Sequence, residues 1–130
     1  MISLLFWCLA AICNSIMDTC SHHFNESVFF YNSFFDTPNS WRYKYIGGTP
    51  ENGRRKIKIW KWKFNYPVQL TDSFHLFKML MIVFICLSIV FFEPTPWHNW
   101  IWKLLVFVIY GIVWNLIFNL FYNHILIKKK

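Results

Sequence analysis

Three long apolar runs, nearly free of charge, constrain this chain more than any other feature. They cover Ile2–Met17, Leu76–Phe92 and Leu104–Ile127, and Lys78 is the one Lys, Arg, Asp or Glu within them. The hydrocarbon core of a bilayer is crossed by about 20 apolar residues in a helix. Helices suit that solvent because they satisfy their own backbone N–H and C=O groups. Composition agrees: the 130 residues are 56% hydrophobic and 22% aromatic, against about 45–50% apolar in soluble domains. The expected fold is an all-α membrane protein, one domain over 1–130. Its three transmembrane helices lie at about 2–17, 76–92 and 104–127, with a basic, turn-rich interfacial segment, 18–75, between the first two.

The first run is short for a crossing unless its helix continues into the residues after Met17. A cleaved signal peptide is the alternative. The run lacks a basic leading region and a small-x-small cleavage site, so an uncleaved span is expected. Glu93-Pro94-Thr95-Pro96 stops the second span, since proline cannot continue a helix. Trp97, Trp100 and Trp102 then suit an interfacial aromatic belt.

Charge sets the expected orientation. The chain carries a formal charge of +7, and eight of its 13 Lys and Arg residues fall between Arg42 and Lys63, with three more at the C-terminus. Short loops rich in Lys and Arg stay cytoplasmic. The expected arrangement in the cell membrane is N-terminus outside, segment 18–75 inside and C-terminus inside. Asp18, His22, His23, Asp72, His75 and His124 then share one depth, with His98 on the opposite face.

Imidazole and carboxylate are the usual ligands of divalent metals such as zinc, about three or four per site. On a helix Asp18, His22 and Glu26 would share a face, as would Asp72 and His75. A bound metal could activate water. The structural alternatives are plain. Asp72 or Thr71 can cap the second span, worth about 0.3–1 kcal/mol through the helix dipole. Asp18 can pair with Lys78 or Arg42. His22 and His23, being adjacent, cannot both face one site on a helix.

Two further patterns point to partners. Gly111, Asn115, Asn119 and Asn123 recur every four residues in the third span, where amides are expected to meet other helices. Helix packing or self-association into a homo-oligomer follows, with a pore lining as the alternative. Arg54, Arg55, Lys56, Lys58, Lys61 and Lys63 alternate with Ile57, Ile59, Trp60 and Trp62. With Arg42 and Lys44, they suit anionic lipid headgroups at about 1 kcal/mol per charge. A nucleic acid would be attracted by the same charge, but beside two spans the lipid bilayer is the expected partner. Cys8, Cys13 and Cys86 read as small buried hydrophobes, while Cys20 is close enough in sequence to His22 and His23 to join a metal site.

Three stretches resemble a family of small uncharacterised integral membrane proteins of bacteria and phages. They are Asp18-Thr19-Cys20-Ser21-His22-His23-Phe24 with Ser27, then Ser40-Trp41-Arg42-Tyr43-Lys44-Tyr45, then Thr71-Asp72-Ser73-Phe74-His75-Leu76-Phe77-Lys78. The shared motifs are S-W-(K/R)-x-K-Y and T-D-x-x-H, and the likeness covers about residues 17–80. The family has no assigned activity, so the resemblance implies no reaction. It points to Asp18, His23, Asp72 and His75 as the site. His22 stands where an apolar residue is expected.

Two functions fit these patterns. One is a metal-dependent hydrolase of a lipid-proximal or phosphate-bearing substrate, with Asp18, His23, Asp72 and His75 on the metal and Arg42 or Lys44 on the anion. The other is a non-enzymatic scaffold, assembly factor or small oligomeric pore.

Overall fold

Helix α1 (Ile2–His22) lies between two other long helices in this computed structural model, which describes residues 1–92 and 100–128. They are α3 (Ser73–Val90) and α4 (Trp100–Leu120), the latter continued by a π-helical turn, Phe121–Ile125. All three are long and apolar enough to cross a membrane. The first is longer than the apolar run alone suggests, because Asp18 and His22 stay helical and reach its last turn. The expected interfacial turn falls largely outside the described residues, Trp97 and His98 included. Trp100 and Trp102 belong to the first turns of α4.

The face of α1 explains its central place. Its buried positions are Ser3, Ala10, Ala11, Cys13, Ser15, Met17, Thr19 and Cys20, nearly all small. Small residues let helix backbones approach closely, which is how helices associate where lipid removes any hydrophobic gain. Packing of α1 is most extensive on α3 and next on α4, while α3 and α4 barely touch among the described residues. Ser3 bridges all three: its Oγ donates to the Ser88 carbonyl (2.7 Å) and lies 3.0 Å from the Tyr110 hydroxyl. Trp7 Nε1 donates to the Tyr110 carbonyl at 2.9 Å, and its ring sits 5.1 Å from that of Trp114.

At the other end, Cys20 of α1 packs beside Ser73 and Asp72, which start α3. The helices α1 and α3 are therefore antiparallel, and α4 runs broadly with α1. The chain after α4 folds back: Val28 N–H donates to the Leu126 carbonyl, and Lys128 N–H to that of Glu26, each at 2.8 Å. The end of α1, the start of α3 and the end of α4 thus share one end of the molecule.

The connecting segment is not all turn. After a short helix α2 (Thr37–Ser40), strands β1 (Lys56–Ile59) and β2 (Trp62–Asn65) form an antiparallel hairpin, with Lys56 opposite Asn65 and Ile59 opposite Trp62. This corrects the all-α expectation, since the fold is helical with a small sheet. The alternation of Lys with Ile, Trp and Phe has the two-residue period of a strand. Trp60 and Lys61 make the turn, and Trp60 adopts φ 55°. The hairpin stands almost wholly exposed. The start of α3 is instead tied to the loop, through Ser73 N–H donating to the Phe34 carbonyl at 3.1 Å.

Candidate functional site at the junction of α1 and α3

Asp72 caps α3 and holds a histidine with the same carboxylate. As N-cap it has extended backbone, and its Oδ1 accepts the Phe74 N–H at 2.8 Å. This satisfies one of the free donors of a helix start, as the capping alternative anticipates. The second oxygen has another role: Oδ2 lies 2.9 Å from His75 Nδ1. The Asp72 side chain is 3% exposed and that of His75 is 48% exposed. A carboxylate only accepts, so Nδ1 donates, and a neutral ring then presents its lone pair at Nε2. One helical turn thus sets a half-exposed imidazole against a buried carboxylate.

The surroundings of Asp72 are polar and tightly packed. Thr71 and Ser73 are buried on either side of it, and Cys20 faces it from α1. The buried hydroxyls of Thr19 and Ser40 have no hydrogen-bond partner among the described residues, and that of Ser73 lies beside the Cys20 thiol. Beside Thr71 opens a cleft of about 200 Å³ lined by Ser33, Tyr43, Arg55 and Tyr66. Arg55 is held there by its Nε, which donates to the Tyr45 carbonyl at 3.1 Å.

Asp18 and His23 belong to a different group. The backbone leaves the α-helix at His23, and the chain enters a 3₁₀ turn, Phe24–Glu26. Glu26 therefore does not continue the Asp18–His22 face. It approaches His23 instead, with Nδ1 and Oε2 3.8 Å apart. The His23 ring meets Tyr122, in the π-helical turn after α4, edge-on at 5.5 Å, and Asp18 acts electrostatically on the same tyrosine. His22 is exposed and lines a polar cavity of about 610 Å³ with His23, Glu26, Asp36 and Asn39.

The expected four-ligand set is thus not assembled. Among the described residues no group of three or more His, Cys, Asp and Glu is arranged to hold a metal ion. A closed zinc site takes about four ligands, and Asp72 with His75 supplies two. The pairing of Cys20 with Asp72 and of Tyr122 with His23 was not read from the sequence. One signal for the second was present, since Tyr110, Trp114, Phe118 and Tyr122 repeat every four residues.

The predicted anion-binding residues divide as well. Arg42 and Lys44 lie over the Trp41 ring, at 5.7 and 5.9 Å from its centre. Lys56, Lys58, Lys61 and Lys63 project from the hairpin, and Arg54 is exposed beside Tyr45. The amides of Asn115, Asn119 and Asn123 are exposed and bond back along their own helix.

Comparisons with protein-family models, with curated proteins and with solved structures found no match to the chain.

Proposed function

We propose that the protein crosses the membrane three times and uses Asp72 and His75 as an acid–base pair on a phosphate-bearing, lipid-proximal substrate. One observation carries this reading. Capping α3 requires a single carboxylate oxygen, yet the second is fixed on His75 Nδ1 at 2.9 Å. A base oriented by a buried carboxylate is the arrangement that general base catalysis needs. His75 Nε2 removes the proton of a water molecule as its oxygen attacks phosphorus. The phosphorus–oxygen bond to the leaving group breaks, and the imidazolium returns the proton to the departing oxygen. Arg55, in the cleft beside Thr71, offers the planar fork that suits a phosphate.

The second reading is a non-enzymatic membrane component, favoured by the N-cap contact, which by itself accounts for the burial of Asp72. The two separate by assay. Purified protein is added to vesicles of phosphatidate or of phosphatidylglycerol, and release of inorganic phosphate or of headgroup is followed. The acid–base reading expects release from one of them, lowered by His75→Gln about 10²–10⁴-fold, with α3 intact by circular dichroism. Release unaffected by His75→Gln, or no release from either lipid, sinks it in favour of the structural reading.

A further inference from the structure

Helix α4 and the π-helical turn that continues it carry two rows of residues at four-residue spacing. The first is Tyr110, Trp114, Phe118 and Tyr122. It is half-buried, and it meets α1 and the residue after it through Trp7 and His23. The second is Gly111, Asn115, Asn119 and Asn123, one residue on and so about 100° around the helix. Its three asparagines are exposed.

The second row is only partly satisfied. Asn115 Nδ2 donates to the Gly111 carbonyl, Asn119 Nδ2 to the Asn115 carbonyl and Asn123 Nδ2 to Asn119 Oδ1, at 2.8–3.1 Å. A primary amide has two donor hydrogens and an oxygen with two lone pairs. The ladder engages one hydrogen of each and one side-chain oxygen. The three side chains that carry the remaining capacity are exposed. Gly111 adds an independent feature: a Cβ built there would meet nothing within 4 Å.

We infer that this row is the contact between two parallel copies of the chain, related by a two-fold axis along the membrane normal. The inference rests on the membrane-spanning reading and on nothing proposed for His75. A lipid tail can donate and accept no hydrogen bond, so it leaves the amides unmet. A helix bearing amides at the same spacing completes them, and α4 of a second copy is such a helix. Copies inserted in one orientation meet in parallel, so a two-fold axis sets Asn115 against Asn115 and Asn119 against Asn119. Residues four apart form the ridges that interlock at a crossing angle of about −50°. Glycine-centred membrane dimers cross at about −40°. Gly111, with no side chain, is where the two backbones approach. Gly111 and Asn115 also border a cavity of about 670 Å³ whose other walls include Trp7 of α1 and Ser88 and Ile89 of α3.

The test counts copies in a bilayer. Fluorophore-labelled full-length protein is reconstituted at high dilution into phosphatidylcholine–phosphatidylglycerol vesicles, and bleaching steps are counted. Resistance to alkaline extraction is scored on the same vesicles. The native chain is expected to bleach in two steps. Asn115→Leu with Asn119→Leu, or Gly111→Leu, is expected to weaken the dimer on the order of tenfold. Contact is read separately by oxidative cross-linking of Ile112→Cys, beside the row, and Ile109→Cys, on the far side of α4. Cys86, the exposed native cysteine, is replaced by alanine in both. Cross-linking at 112 but not at 109 is expected, and it decides the matter if the leucine variants do not insert. A native chain that is inserted but monomeric overturns the inference alone, even if it retains a lipid in the cavity. So does a dimer that survives the leucine variants, or cross-linking that is absent or equal at the two positions. Extraction of the native protein overturns the spanning reading and this inference together.

Discussion

Asp72 uses its two oxygens for two purposes, and substitution can part them. Asp72→Asn keeps an oxygen to accept the Phe74 N–H, whereas Asp72→Ala loses the cap. The alanine variant is expected to be less stable by about 1 kcal/mol, seen as a lower midpoint in thermal unfolding in detergent. The asparagine variant should stay near the native value. Equal losses in both would mean that stability depends on the His75 contact and not on the cap. Sequence showed this pair plainly, because three residues apart at a helix start leaves little freedom. Asp18 and His23 were read less well. The end of α1 and the start of α3 lie at one end of the molecule, but a shared end does not give azimuth. Where α1 ends at His22, the chain turns His23 toward Glu26 and Tyr122. A one-residue change in where a helix stops redirects a ring by about 100°, and no local pattern announces it.

The elements show the same division between what a period reveals and what packing decides. Apolar runs located all three helices, and their ends moved by a few residues because capping by Asp72 and continuation through Asp18 are local polar effects. The hairpin is legible as the alternation of Lys with Ile, Trp and Phe, a two-residue period that belongs to a strand wherever the segment lies. Its turn holds Trp60 at φ 55°, a left-handed conformation costing about 1–2 kcal/mol for a residue with a Cβ. Trp60→Gly is expected to slow amide exchange across β1 and β2 in full-length protein. Faster exchange there would show that the Trp60 ring contributes more than the strain removes. The central helix offers a contrasting test. Ala11 is fully buried, so Ala11→Leu is expected to destabilise by about 1–3 kcal/mol through overpacking. A thermal midpoint unchanged by that substitution would show that α1 does not pack this closely.

At the scale of the molecule, the helix directions and the charge distribution can be joined into one orientation. The end of α1, the start of α3 and the end of α4 lie together. The exposed hairpin with its four lysines springs from that end. An anionic membrane surface should draw those lysines. For protein in phosphatidylglycerol vesicles, trypsin cleavage at Lys56–Lys63 is expected to be slow, and to quicken in 1 M salt, where screening shortens to about 3 Å. Cleavage at one rate in anionic and neutral vesicles would remove the electrostatic contact. Positive loops stay in the cytoplasm, so the same end is expected to face inward, with the N-terminus outside. Asn52 sits exposed in the turn before the hairpin and is a suitable reporter. In a chain carrying Cys86→Ala, Asn52→Cys is expected to resist a membrane-impermeant maleimide in intact cells and to react after permeabilisation. The native Cys13 and Cys20 are buried, and Cys8 lies within an apolar helix, so the background signal should be small. Labelling of position 52 in intact cells would reverse the orientation. The Asp72–His75 pair would then face the exterior, and a cytoplasmic-leaflet substrate would be excluded.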